Sequence, residues 1–326
     1  MQPLAGLLVV DLTRYLPGAF ASRELLRLGA RVVRLEPLEG DPMRHVAPAW
    51  DEALNGGKES VVCDLKAEPE LARALLARAD IVLEGFRPGV AARLGVGPND
   101  VPESVVYCSI TGFGADGPHA ARAGHDLNYL GWAGVLEDTA PGLPPLQPAD
   151  LAAGALGAVV DVLGAVLERE RTGVGARLTI SMTHGSHRLV SHRLTSDGTA
   201  GDPSPRFLTG GLACYRIYAT ADGRWITVGA LEPKFFLRLC EAIGRPELAD
   251  RHLEPEAQGE LGAELATTFA ARSLDDWLQL FDGEDVCVGP VATLAEGAAA
   301  FGDGTRLPSA PVGQHTTAWR KELGFS

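Results

Sequence analysis

The chain has 326 residues and a formal net charge of −13 at pH 7. This length is sufficient for two domains or for one domain with a large insertion, and the 46% hydrophobic content is typical of a globular protein. The acidic balance argues against a general nucleic-acid-binding surface and against a surface for anionic membranes.

The five cysteines indicate a reducing compartment. Their number is odd and none of them are spaced like metal ligands. We therefore expect free thiols, no metal and, with no recognisable signal peptide, a cytoplasmic protein. The longest apolar stretch, residues 151–167, contains Asp161 and many small residues, so it falls short of a convincing membrane span.

The first half of the chain alternates short apolar runs with helical patterns. The apolar runs predict buried strands over residues 7–12, 31–36, 60–65, 81–84, 105–110 and 176–181. Helices are predicted between them, over residues 19–28, 69–78 and 151–167. This alternation predicts an α/β fold in which helices cover both faces of a parallel sheet.

The second half predicts a smaller α+β domain. Its predicted elements are a hairpin over residues 214–229, helices from Glu232 and over residues 261–271 and 274–281, and a last strand over residues 286–291. We predict a large domain of residues 1–195, completed by residues 305–326, and a small domain of residues 207–295. Residues 196–206 would link the two domains, and residues 296–304 would form a short return linker.

His125 and Asp150 bracket a region rich in glycine and proline, directly before the apolar helical run. Asp150 is predicted to be the N-cap of that helix, where free backbone N–H groups and the helix dipole would keep its carboxylate ionised. An imidazole and a carboxylate brought together would form an acid–base pair. The alternative is a simple helix cap and a hydrogen-bonded loop histidine.

Two further patterns suggest ligands less strongly. Residues 112–117 read G-x-G-x-x-G after a predicted strand, but Pro118 follows at once, so no long helix opens there to bind a pyrophosphate. A glycine-lined wall over a ligand is the better interpretation. His184, His187 and His192 lack nearby carboxylates or cysteines, and we do not expect them to bind a metal.

Three basic residues follow strand or helix units, where ligands bind in folds of this type: Arg44, Lys58 and Arg87. They are candidates for holding a phosphate. For any one of them, the alternative is a solvated surface charge.

Eight segments, in order and spacing, resemble one known family. They are residues 35–44, 55–65, 86–90, 111–118, 124–129, 228–235, 285–291 and 313–326. The sequence is similar to the class III CoA-transferase superfamily of the CaiB/BaiF type. Gly-His-Asp-Leu-Asn-Tyr at residues 124–129 resembles G-H-D-I-N-Y of its alpha-methylacyl-CoA racemase branch.

The resemblance implies a Rossmann-like large domain that binds CoA, a smaller α+β domain and an interlocked homodimer. It also implies two-base chemistry on the carbon next to a thioester carbonyl, with His125 and Asp150 as the bases on opposite faces. Free N–H groups around Asp150 would bind the enolate oxygen. Asp126 and Glu232 would orient or polarise His125.

The basic residues Arg44, Lys58 and Arg87 would contact CoA by the same resemblance. No cofactor is implied beyond the CoA part of the substrate. The chain departs from the racemase branch at Asp150-Leu-Ala-Ala-Gly, where D-F-G-G-G is usual, and at Gly56, which replaces an arginine. The added methyl groups are expected to crowd the acyl chain.

Three functions are compatible with these residues. The first is an acyl-CoA racemase or epimerase that transfers a proton at the α-carbon of a 2-methylacyl thioester. The second is a CoA-transferase, in which Asp150 would be a nucleophile forming a mixed anhydride and then an enzyme thioester. The third is a non-catalytic acyl-CoA binder. Residues 124–126 favour the racemase, because CoA transfer does not need His125.

Overall fold

A computed structural model of the protein describes residues 1–195, 198–199, 207–302 and 307–325. It divides into two compact units, one of Met1–His192 with Thr305–Ser326 and one of Arg193–Gly304. Most of the predicted linker, residues 196–206, lies outside the described residues.

The larger unit contains six strands and most of the helices. In chain order these are β1 (Leu8–Asp11), α1 (Tyr15–Arg27), β2 (Arg31–Glu36), α2 (Met43–Val46), α3 (Pro48–Asn55), β3 (Glu59–Val62), α4 (Pro69–Ala77), β4 (Ile81–Glu84), α5 (Val90–Arg93), β5 (Val106–Thr111), α6 (Asp126–Trp132), a π-helix (Ala149–Leu156), α7 (Gly157–Thr172), β6 (Arg177–Ser181) and α8 (Met182–Val190).

The six strands form one parallel sheet in the order β3-β2-β1-β4-β5-β6. Buried side chains form one core cluster on each face of this sheet. The central strands are apolar on both faces because helices cover both sides. The strand order reverses between β1 and β4, which is where ligands bind in doubly wound sheets. The predicted α/β fold class is confirmed.

The smaller unit is built around a three-stranded antiparallel sheet in the order β7-β8-β9. Its elements are β7 (Tyr215–Ala219), β8 (Trp225–Gly229), α9 (Pro233–Ala242), α10 (Gln258–Phe269), α11 (Leu274–Leu280), β9 (Val288–Pro290) and α12 (Leu294–Phe301). A separate core cluster of its own holds it together. The predicted α+β architecture is confirmed.

Helix α12 is an element that the sequence analysis did not predict. It occupies most of the predicted return linker of residues 296–304, and the role of this segment as a linker stays a prediction. The side chain of Thr293 accepts the backbone N–H of Glu296, and the side chain of Glu296 accepts the N–H of Thr293. This capping box starts a helix that the following alanines favour.

The C-terminal segment packs on the larger unit. Its helix α13 (Thr316–Glu322) places Trp319 in the core, 1% exposed, and the indole N–H donates to Glu59 over 2.6 Å. Thr316 accepts the backbone N–H of Val62 at the edge strand β3. The segment therefore covers an edge of the sheet that would otherwise be open.

The π-helix and α7 form one apolar stretch, Ala149–Thr172, which by length and composition alone would be long enough to cross a membrane. Here one side of it is buried in the core through Ala155, Ala158 and Val162. The opposite side leaves Val160 and Leu167 exposed.

Candidate active site

His125 directly precedes α6, in the connection that leaves the carboxyl end of β5. Its backbone N–H donates to the side chain of Asn128 over 3.0 Å, and the backbone N–H of Asn128 donates back to the His125 carbonyl over 2.8 Å. This reciprocal pair fixes the backbone of His125 while its side chain stays exposed.

Asp126 joins α6 to the start of the π-helix. Its carboxylate is buried and accepts the backbone N–H of Asp150 over 2.9 Å, and the backbone N–H of Ala149 also donates to it. These N–H groups belong to the first turn of the π-helix, where no partner exists within the helix. Because His125 directly precedes Asp126, this contact places the start of α6 beside the first turn of the π-helix, where Asp150 lies.

Asp150 is not the N-cap that the sequence predicts. The helix starts earlier, with Pro148 at the N-cap in helical geometry, and Asp150 lies in the first turn. Its partner is supplied from the distant helix α6, which no local pattern reveals. The N–H groups of Ala149 and Asp150 are therefore engaged by Asp126 and are not free donors for an enolate oxygen, which corrects that prediction as well.

The environment of Asp150 raises its pKa to about 7. The main cause is burial, and the negative charge of Asp126 adds to it. Burial also raises the pKa of Asp126, although its two backbone donors act in the opposite direction. Burial and the charge of Asp126 therefore act against the ionised carboxylate that the helix start was expected to favour. A carboxyl group of this kind can both release and accept a proton near neutral pH.

The π-helix is a structural feature that the sequence did not predict. Short π-helical stretches widen a helix locally and occur often at functional sites.

Ala153, which stands where the racemase pattern has glycine, is buried against α8. A Cβ at Gly185 would lie 2.8 Å from the Ala153 methyl carbon. The Ala153 methyl group therefore packs against a neighbouring helix and does not crowd an acyl chain.

Glu232 lies in the smaller unit, at the N-cap of α9 with Pro233 as the first helical residue. Its negative charge contributes to a raised pKa of Cys287. The role of Glu232 beside His125 stays a prediction.

Lys58 has no free donor for a ligand. It is 3% exposed, and its ammonium group donates to the Ala19 carbonyl (2.9 Å), Ser22 Oγ (2.6 Å) and Asn55 Oδ1 (2.7 Å). Burial lowers its pKa to about 8, against the opposing charge of Asp11. The structure corrects the prediction that Lys58 contacts CoA, because all three ammonium protons are used inside the protein.

Arg44 is also an internal cation. Its guanidinium binds Glu36 through two hydrogen bonds of 2.6 and 2.8 Å and donates to the carbonyl of Ala310 over 2.9 Å. It therefore ties the C-terminal segment to the sheet. Arg44 also lines a second cavity, and its contact with CoA stays a prediction. Arg87 is exposed in the loop after β4, and its prediction as a CoA ligand stands.

A cavity of about 330 Å³ lies at the carboxyl ends of β1, β2 and β3, and Phe86 after β4 extends its lining to the point between β1 and β4 where the strand order reverses. Apolar residues such as Leu12, Leu35 and Phe86 line it. Its charged lining consists of the cations Arg14 and Lys66 and the carboxylates of Glu36, Glu39 and Asp64. Sequence reasoning missed these two cations. Their signal was present, since each lies within four residues of the end of a strand.

Comparison with known proteins decides the family. The family model "CoA-transferase family III" matches residues 4–301. The chain belongs to this family. It is 33% identical to "Alpha-methylacyl-CoA racemase" of Mus musculus, over 99% of this chain and 94% of the relative.

Transferases and solved structures are similar as well. The chain is 30% identical to "Succinyl-CoA:glutarate CoA-transferase" of Mus musculus, over 91% of this chain and 73% of that relative. A crystal structure of a CaiB/BaiF family protein from Brucella suis superposes with a TM-score of 0.84 at 28% identity, covering 98% of this chain and 99% of that chain. Family III thus includes both racemase and transferase relatives of this chain.

Proposed function

We propose that the protein is an acyl-CoA racemase or epimerase. It would transfer a proton at the α-carbon of a 2-methylacyl-CoA thioester, with His125 and Asp150 as the two bases. The observation that carries this proposal is the hydrogen bond from the Asp150 backbone to Asp126, the neighbour of His125. It holds the first turn of the π-helix, with a carboxyl group whose pKa is about 7, against the start of α6, which His125 directly precedes.

The proton balance of the reaction follows from this pair. One base removes the α-proton from one face, and the electron pair moves to the thioester oxygen to form an enolate. The other base, protonated at the start, delivers its proton to the opposite face of the α-carbon. Asp126 sets this chemistry up, because its charge helps to raise the pKa of Asp150 and its carboxylate holds the two helix starts together.

The cavity at the strand ends suits the nucleotide part of CoA. Apolar walls would take the adenine, and the exposed cations Arg14 and Lys66 would take phosphates. Arg87 follows the neighbouring strand β4 and would bind the same substrate. The proposed reaction needs no cofactor beyond the CoA of the substrate.

Proton exchange in deuterated water tests the proposal. The protein is incubated with one enantiomer of a 2-methylacyl-CoA and no free carboxylic acid, and the α-proton is followed by NMR. We expect exchange together with loss of stereochemistry. Racemisation should disappear in His125→Ala and in Asp150→Ala, and each variant should retain exchange only of the enantiomer whose α-proton faces the remaining base. Absence of exchange in the wild-type protein with several acyl chains would contradict a racemase.

A CoA-transferase is the second candidate, favoured by the transferase relatives at 30% identity. Here Asp150 would attack the thioester carbonyl and release CoA as a thiolate. The thiolate would then attack the Asp150 carbonyl of the anhydride, which gives the enzyme thioester and releases the donor carboxylate. An added carboxylic acid would complete the transfer. CoA movement that needs this acid and survives His125→Ala would support the transferase over the racemase. If His125→Ala bound acyl-CoA normally and the wild type showed neither activity, the protein would be a non-catalytic binder.

A homodimer is part of the proposal. The apolar face of α7 that includes Val160 and Leu167 is exposed in the single chain, and a second copy would cover it. We expect sedimentation velocity to give the mass of a dimer. The mass of a monomer would contradict the proposed homodimer.

A further inference from the structure

Tyr129 holds the backbone around His125 from two directions. Its hydroxyl donates to the carbonyl of Gly124, the residue before His125, and its backbone N–H donates to the His125 carbonyl over 3.2 Å. The side chain turns back toward the start of α6, as helical side chains do. Both peptide groups that flank His125 are therefore bonded to one residue.

The ring of Tyr129 is fixed as firmly as its hydroxyl. The residue is 8% exposed and packs edge-to-face on Phe113, with ring centroids 5.2 Å apart. Burial raises the pKa of the hydroxyl, and the negative charges of Asp150 and Asp126 raise it further. The hydroxyl therefore stays protonated as a donor, and the ring lies within electrostatic reach of both carboxyl groups.

Two glycines leave room for this ring. A Cβ at Gly112 would lie 2.5 Å from a ring carbon of Tyr129, and a Cβ at Gly124 would lie 2.7 Å from the same carbon. Neither glycine has the left-handed backbone that would by itself require glycine. Space for Tyr129 is thus the reason for glycine at both positions, one in the glycine-rich segment after β5 and one beside His125.

We propose that Tyr129 is a positioning residue for His125, an inference that rests on the proposed racemase function. The hydroxyl acts on the imidazole through the Gly124–His125 peptide, so it directs the imidazole toward one face of the α-carbon. A small displacement of a reacting group is costly in rate, since proton transfer needs hydrogen-bond distance in the reactive complex. The effect of losing Tyr129 should therefore fall on the half-reaction that His125 performs.

The test compares proton exchange of the two substrate enantiomers. In His125→Ala, only the enantiomer whose α-proton faces Asp150 should still exchange with deuterium, and this assigns a face to each base. In Tyr129→Phe, exchange of the other enantiomer should fall about tenfold, which corresponds to the loss of about one hydrogen bond. Exchange of the first enantiomer should stay within about twofold of the wild type.

Tyr107→Phe is the matched control. Tyr107 is 1% exposed in the same unit, and its hydroxyl donates to the Val96 carbonyl over 2.8 Å. The Tyr107→Phe variant should show a change in Tm similar to that of Tyr129→Phe, and its exchange rates for the two enantiomers should change equally. Equal losses for both enantiomers in Tyr129→Phe, or no loss, would overturn the positioning role. Absence of exchange in the wild type would overturn the racemase function and this inference with it.

Gly124→Ala gives a second, independent test with the hydroxyl intact. Its methyl group would push the Tyr129 ring aside, so the same enantiomer should lose exchange. Gly131→Ala is its control on the same helix, because the nearest atom to a Cβ there is 4.0 Å away. A symmetric loss in Gly124→Ala would also count against the inference.

Discussion

Asp150→Asn should stabilise the protein while it abolishes activity, and the stabilisation should grow with pH. A carboxyl group whose pKa is raised by folding is protonated in the folded state at pH values where the unfolded chain has already lost the proton. Its contribution to stability is therefore lost as the pH rises from about 4 through about 7. Asparagine has the same size and never ionises, so it avoids this loss.

The magnitude follows from the pKa of Asp150, which rises from 3.8 to about 7 on folding. At 1.36 kcal/mol for each pKa unit, ionisation of this group destabilises the fold by about 4 kcal/mol above neutral pH. At pH 5 the same calculation gives about 1.5 kcal/mol. The stability advantage of Asp150→Asn should therefore increase by about 3 kcal/mol between pH 5 and pH 8.

Urea denaturation at pH 5 and pH 8, followed by circular dichroism, measures this difference. Comparing the two pH values cancels any effect of the amide that does not depend on ionisation. Asp116→Asn is the control, since Asp116 is exposed in the same unit. An advantage of Asp150→Asn that stays constant or shrinks at higher pH would refute the assignment of a raised pKa to Asp150.

Further changes separate the roles of the neighbouring charges. Asp126→Asn keeps an acceptor for the Asp150 N–H but removes the negative charge that helps to raise the pKa of Asp150. The acidic limb of the pH–rate profile should therefore move to lower pH. An unmoved limb would contradict the effect of Asp126 on the pKa of Asp150. The double variant Arg14→Ala/Lys66→Ala should raise KM for acyl-CoA about tenfold with kcat unchanged, and much less for acyl-pantetheine; equal effects on both substrates would remove the cavity from the CoA site. Lys58→Met should lower the free energy of unfolding by about 3 kcal/mol, because it leaves the buried carboxylate of Asp11 without its cation. A change in KM without loss of stability would restore Lys58 as a CoA ligand.

Local sequence patterns were sufficient for the strands and for the order of the elements. Runs such as residues 31–36 are apolar enough to form buried strands wherever they pack, and β2 has those bounds. The family segments also placed His125 and Asp150 on the two sides of one connection, as the structure does. These features depend on residues that are close together in the chain.

The pKa of Asp150 and the partners of the charged residues depend on tertiary contacts that the sequence does not show. Asp126 is 24 residues from Asp150 in the chain, so no local pattern shows that it satisfies the backbone N–H groups of the π-helix or raises the pKa of its neighbour. The contacts of the basic residues also come from elements that are distant in the chain. Lys58 is held by a helix that ends about 30 residues before it, whereas Arg14 reaches a cavity formed by several strands.

The sequence by itself thus determined the fold class and the family, and it supplied the residues that are proposed to carry the chemistry, because strand formation and motif identity are local properties. The tertiary structure decided the raised pKa of Asp150, the burial of Lys58, the ion pair of Arg44 with Glu36, and the fixed backbone of His125. Each of these depends on groups that are distant in sequence and meet only when the helices and strands pack, and desolvation and charge act through such contacts.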